Sequence, residues 1–173
     1  MKTKLAAKAF AAVALACTAL AGCTKPGTAA TVNGRPVSEQ SVDELAQQLK
    51  ESGLGKSLTA SGVDLSSRFR LLGFRVTITA VGPAVDKASE KLEASQKDQI
   101  LGQCKKGLNT SSELPSDVQR YCLARALTSG QPAFQKEISG ILADMKVEYS
   151  KRYGVADKQK GLELPEYLTL RRG

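Results

Sequence analysis

The stretch TVNGRPVSEQSVDEL, Thr31–Leu45, holds a strand, a turn and the start of a helix in one short run. Thr31 and Val32 lead into Asn33-Gly34, a dipeptide suited to a tight hairpin turn because both residues tolerate positive φ. Pro36 then restricts the chain and removes a ladder donor. Ser38 is a good N-cap, and Val37 and Val42 stand at the two positions of a hydrophobic staple around it. Val42, Leu45, Ala46 and Leu49 follow at helical spacing. Gly53 ends that helix.

Downstream the helical period continues. LTASGVD (residues 58–64) reads as a loop. From Leu65 onward, Phe69, Leu72, Val76 and Val81 share a broad helical face. RVTITAV inside this stretch alternates like a strand, but its length and flanks favour helix. Gly82-Pro83 marks a break or kink. Val85, Ala88 and Leu92 then lie on one side of the continuing helix. A third segment starts at Ser95-Gln96-Lys97-Asp98, a Ser-x-x-Asp cap, with Ile100, Leu101, Cys104 and Leu108 inward. A fourth starts near Ser116, three residues before Gln119, with Val118, Cys122 and Ala126 in one stripe. A fifth runs from Pro132, with Phe134, Ile138, Ile141 and Leu142 inward. At Met145–Ser150, MKVEYS, the period changes to that of a strand. The remainder is polar and turn-rich. The expected fold is mainly α, a small helical domain with a strand near each end.

The N-terminal side is different in kind. Lys2, Lys4 and Lys8 precede AFAAVALACTALAG, an uncharged run shorter than the roughly 20 residues a membrane-spanning helix needs. It reads as a secretory signal peptide, residues 1–22. A retained membrane anchor is the weaker reading, since no polar stop-transfer sequence follows. Leu20, Ala21, Gly22 and Cys23 look like a bacterial lipobox, in which Cys23 is acylated and becomes the first mature residue. The bland alternative is an ordinary thiol beside an ordinary cleavage site. TKPGTAA completes residues 23–30 as lipidated cysteine and tether. The chain of 173 residues carries a net charge of +8, and residues 1–22 hold three lysines and no acid, so the mature form carries +5. That mild excess suits anionic lipid or cell-wall polymer. Its dispersed Arg and Lys residues, without an aromatic-rich motif, do not suit nucleic acid.

Of four cysteines, Cys17 leaves with the signal peptide and Cys23 takes the lipid. Cys104 and Cys122 remain in an oxidising compartment, and a structural disulfide is expected between them. Two buried free thiols are the alternative. A redox-active pair ranks last, for lack of a Cys-x-x-Cys motif. The chain has no histidine, which excludes Ser-His-Asp and Cys-His catalysis and His-dependent metal sites. No P-loop or Gly-rich dinucleotide motif is present. Asp43 with Glu44, and Glu90 with Glu93, sit among lysines on polar faces and read as solvated surface. The residues therefore point to no enzyme, cofactor, metal or small-molecule substrate.

AATVNGRPVSEQSVDELAQQL (Ala29–Leu49) resembles the start of the SurA/PrsA-type chaperone domain, with its strand, Asn-Gly turn and capped helix. KVEYSKRYGVAD (Lys146–Asp157) is similar to the closing strand of short exported relatives. The resemblance spans residues 31–157 and leaves 158–173 as a polar C-terminal tail. It implies that the first strand pairs with the last in a short two-stranded element. It also implies that the helices cradle unfolded or nascent secreted polypeptide as a holdase or foldase at the extracytoplasmic face of the cell membrane. Many relatives also carry a parvulin-type prolyl isomerase domain. This chain lacks histidine and the about 90 further residues such a domain needs, so an isomerase-related role is a lesser alternative. Exposed apolar helix residues hold extended segments weakly and promiscuously. The candidates are Phe69, Leu72, Phe74, Phe134 and Ile138, against the alternative that each is plain core. A dedicated partner-binding lipoprotein subunit of an envelope complex is the competing reading. A cell-wall structural protein rests on charge alone.

Overall fold

A computed structural model describes residues 26–153. The Asn-Gly turn forms as its residue types demand. Asn33 and Gly34 take φ of 50° and 80° and connect β1 (Thr28–Val32) to β2 (Arg35–Ser38). The register runs Val32 to Arg35, Thr31 to Pro36 and Ala30 to Val37, with an irregularity before Thr28 meets Ser38. Pro36 lies on an edge strand, where a missing N–H is tolerated. β3 (Val147–Tyr149) pairs antiparallel with the other side of β1. The sheet thus has three strands in the order β2-β1-β3, where two were expected. β1 also begins at Thr28, inside the stretch read as tether, and Ala29 and Ala30 are fully buried. Small side chains look like linker in sequence, but here they belong to one buried cluster with Val42, Leu72 and Val76.

Ser38 caps α1 (Glu39–Glu51): its Oγ accepts from the Ser41 N–H at 3.0 Å, and the Ser41 hydroxyl donates to the Ser38 carbonyl at 2.8 Å. Val37 and Val42 are both buried, as a staple requires. Gly53, at φ 68°, stops α1 and starts a second short helix, α2 (Leu54–Ala60). Leu58–Ala60 therefore belong to α2, where a loop was expected. Leu54, Leu58 and Val63 are drawn fully into the core, and that long-range packing decides the conformation of a short polar-looking stretch.

α3 (Arg68–Ser89) is the central element, 22 residues long and capped by Ser67. The ambiguous RVTITAV is helix. Thr77 and Thr79 donate their hydroxyl protons to the carbonyls of Gly73 and Arg75 at 3.0 and 2.8 Å, so neither hydroxyl is lost in the interior. The helix runs through Pro83, where a break or kink was expected, without a break. Val81 and Val85, on either side, are fully buried against α5 and α6, and this packing carries the chain past the missing N–H.

α4 (Ala94–Gly107) is capped two residues earlier than expected: Glu93 is the N-cap, and the Gln96 side chain accepts from the Glu93 N–H at 3.0 Å. None of its residues is fully buried; it leans on the domain through Ile100, Leu101 and Cys104. α5 (Ser116–Gly130) and α6 (Pro132–Ala143), with Pro132 in its first turn, complete the bundle. Cys104 on α4 and Cys122 on α5 lie at disulfide distance, with Cα atoms 5.9 Å apart. The bridge ties the one loosely packed helix to the core. Three apolar clusters result: one under α1, α2 and α5; one between α3, α5 and α6; and one where the sheet covers Val42, Leu72 and Val76.

Candidate functional site

The five apolar candidates separate sharply. Leu72 and Phe74 are 0 % exposed, and Phe134 and Ile138 are 5 % and 3 % exposed. Phe74 packs on Tyr121 with ring centroids 6.0 Å apart; Phe134 and Ile138 fill the cluster between α3, α5 and α6. These four are interior, not a peptide-lining surface. Helical spacing shows which residues share a stripe, but not whether another element covers it. α3 is central, so its stripes are covered from several sides. Phe69 is the exception, 50 % exposed and the large hydrophobic left on the surface among the described residues.

Phe69 continues the stripe of Leu72 and Val76, at i, i+3 and i+7, which faces the sheet. The first turn of α3 brings it against Tyr149 of β3, ring centroids 5.7 Å apart and planes tilted by 41°. Half of the residue stays exposed. β3 is an edge of the sheet. Asn33 N–H donates to the Lys146 carbonyl and Ser150 N–H to the Ala29 carbonyl, each at 2.9 Å. By the alternation of an antiparallel ladder, Lys146, Glu148 and Ser150 turn their backbone groups toward β1. Val147 and Tyr149 turn their N–H and C=O groups outward. The site is thus an open strand edge with an uncovered aromatic ring beside it.

Both ends of β3 are held. At its start the Lys146 N–H donates to Asn33 Oδ1 at 2.8 Å, so the turn residue also clamps the strand. At its end a 3-10 turn, Lys151–Tyr153, carries Tyr153 back to the helices. The Tyr153 hydroxyl donates to Glu39 Oε2 at 2.7 Å and accepts from Arg68 Nε at 2.8 Å. Arg68 also reaches Glu39 at 2.8 Å and Asp43 at 2.5 Å. The first turns of α1 and α3 and the end of β3 therefore share one network. The hydrogen bonds from Tyr153 and then Arg68 hold the Glu39 carboxyl below its ordinary value. Tyr153, Glu39 and Asp43 together hold the Arg68 guanidinium protonated. Burial pushes the phenols of Tyr149 and Tyr153 above their ordinary value.

Sequence reading missed Val147, Tyr149 and Tyr153 as site residues. The strand period at 145–150 was a usable signal, but the edge position was not. Three of the four acids noted in sequence have structural duties: Asp43 in the Arg68 network, Glu44 accepting from Gln40 at 2.8 Å, and Glu93 capping α4; Glu90 is exposed. Among the described residues no group of three or more His, Cys, Asp or Glu is placed to hold a metal ion. Leu20, Ala21, Gly22 and Cys23, and the tail 158–173, lie outside the described residues. No helix among the described residues is long and apolar enough to cross a membrane. Comparison with protein-family models, with curated proteins and with solved structures finds no match.

Proposed function

We propose that this chain is a lipid-anchored extracytoplasmic polypeptide-binding protein, a holdase-type chaperone that receives an extended segment along β3. The observation that carries this reading is the half-exposed Phe69 ring beside the outward backbone groups of Val147 and Tyr149. A strand added there gains main-chain hydrogen bonds from the edge, while an inward-facing side chain covers Phe69. Main-chain pairing is indifferent to sequence, which suits a binder of unfolded secreted chains. Clamping by Asn33 and Tyr153 keeps the edge extended before anything binds, so less ordering is left for the binding step. A lipid on Cys23, as the lipobox-like Leu20–Cys23 implies, would hold the module at the membrane surface.

The competing reading, a dedicated subunit of an envelope complex, has one observation in its favour. A single exposed ring and a three-residue edge form a small surface, closer to one segment's docking point than to a broad cradle. In-cell crosslinking from position 69, followed by mass spectrometry, decides between them. Many unrelated secreted proteins are expected. One or two stoichiometric partners would establish the dedicated subunit instead. Crosslinks that survive Val147→Pro unchanged, in a folded protein, would remove strand addition as the mode, because proline blocks an outward N–H and leaves the β1 side intact. In the same cells Cys23→Ala is expected to move the protein from the membrane fraction to the soluble one.

A further inference from the structure

The edge of β3 carries a charge pattern as well as outward backbone groups. Lys146 and Glu148 are exposed, flank the partly buried Val147, and form no ion pair among the described residues. Alternation puts both side chains on the sheet face turned away from the helices, since Val147 and Tyr149 pack into the cluster of Leu72 and Val76. Charged side chains on an edge strand ordinarily discourage a neighbour. Here the two signs stand on either side of a residue whose N–H and C=O point outward. The edge is therefore complementary to itself in one register.

A second copy of this chain meets β3 antiparallel, about a two-fold axis, in three registers centred on a residue of the strand; each sets outward residues opposite outward residues. Centred on Glu148, the two glutamates stand directly opposite each other and repel. Centred on Tyr149, Glu148 faces Ser150 of the second copy and gains no charge partner. Centred on Val147, the two valines exchange both N–H···O=C bonds. Lys146 then faces Glu148 of the second copy on one side of the axis, and Glu148 faces Lys146 of the second copy on the other. These are non-hydrogen-bonded pairs, with Cα atoms about 4.5 Å apart and side chains at their closest. The same register sets Tyr149, with Phe69 beside it, opposite Met145 of the second copy. Met145, Val147 and Tyr149 pack in the one apolar cluster under the sheet, so apolar contacts form on that face and ion pairs on the other.

We propose that β3 pairs with β3 of a second copy in the register centred on Val147, joining two sheets into one of the order β2-β1-β3-β3-β1-β2. The interface is small, so the dimer is of the weak, exchanging kind. On the lipid-anchored reading, tethering to one membrane raises the local concentration of copies. The dimer covers the edge until an extended polypeptide takes the place of the second copy. The inference goes beyond polypeptide binding and does not require it: the dimer needs only the open edge and its two charges, whereas polypeptide binding is read by crosslinking from position 69.

The test is sedimentation equilibrium of the full-length chain in a density-matched mild detergent with micelles in excess. Wild type, Lys146→Glu, Glu148→Lys and the double exchange Lys146→Glu/Glu148→Lys are compared. Each single change turns both cross-strand pairs from attraction to repulsion. It is expected to weaken the dimer about tenfold or more, with the circular dichroism spectrum unchanged at these exposed positions. The double exchange is expected to restore the dimer. So is an equimolar mixture of the two single variants, whose edges complement each other. If a single variant fails to fold, the double exchange against wild type and the other single variant still decides. A wild type that stays monomeric up to about 1 mM would overturn the proposal. So would a dimer equally strong in all four proteins, which marks shared micelles or another surface. Weakened single variants that neither the double exchange nor the mixture restores would also overturn it, since they mark another register.

Discussion

Replacing Phe69 by Ser removes an aromatic ring that folding leaves half exposed, whereas replacing Phe74 by Ala empties the interior beside Tyr121. The two changes should behave in opposite ways. A phenylalanine ring presents about 150–250 Å² of burial surface. Folding covers about half of it at position 69, so losing that cover destabilises by about 2 kcal/mol. The bare half, about 100 Å², contributes about 2 kcal/mol when a bound segment covers it, roughly thirtyfold in affinity. Phe74→Ala should instead destabilise by about 3–5 kcal/mol, as buried aromatic deletions do. Denaturant titration reads the stabilities. Fluorescence anisotropy of a reduced, alkylated polypeptide that cannot refold reads the affinity. The reasoning is refuted if Phe69→Ser unfolds as readily as Phe74→Ala, which would make Phe69 core. It is equally refuted if Phe69→Ser keeps full affinity while folded.

Opening the Cys104–Cys122 bridge should lower stability by about 3 kcal/mol in the chain-entropy model. Reductant should lower the melting temperature of the wild type and leave a Cys104→Ser/Cys122→Ser variant unmoved. Glu39→Gln should destabilise by about 1 kcal/mol at pH 7, a charged hydrogen-bond network discounted for the half-exposed Arg68. Because the folded Glu39 pKa is depressed, its stabilisation is present above the ordinary value of about 4.3 and lost as pH falls through the lowered one. The gap between wild type and variant in a stability-against-pH series should therefore close in acid, and a constant gap would sink the assignment. Tyr153 carries the opposite sign: its raised pKa stabilises below about pH 10 and is lost as pH rises through the raised value. Asn33→Gly should keep the turn and lose the Lys146 clamp, costing about 1 kcal/mol. Asn33→Ala should cost more, because it also strains a φ of 50°, and equal losses would deny the double role.

What was legible in the sequence was local chemistry. Asn33-Gly34 demands positive φ, Ser38 needs only Ser41 to cap a helix, and Val37 and Val42 meet across one turn. The RVTITAV stretch was decided by length and flanks, and the threonine hydroxyls confirm how a helix accommodates it. The Cys104–Cys122 pairing came from compartment and elimination, with both residues on inward stripes. The candidate site was mostly not legible. Phe69, Leu72 and Phe74 look alike in a periodic pattern, and only their neighbours separate a surface ring from two core residues.

By itself the sequence determined a mainly helical fold with a strand and a tight Asn-Gly turn at its start, because turns, caps and periodicity act within a few residues of one another. Tertiary structure alone decided that Ala29 and Ala30 are core and not tether, since Leu72 and Val76 of α3 and the strand β3 must come from distant parts of the chain to cover them. It alone decided that β3 is an edge, that Phe69 stands beside that edge, and that Asp117 meets Arg75 across 42 residues. Burial, edge position and charge pairing belong to contacts between distant segments, and no local residue pattern encodes which partner arrives.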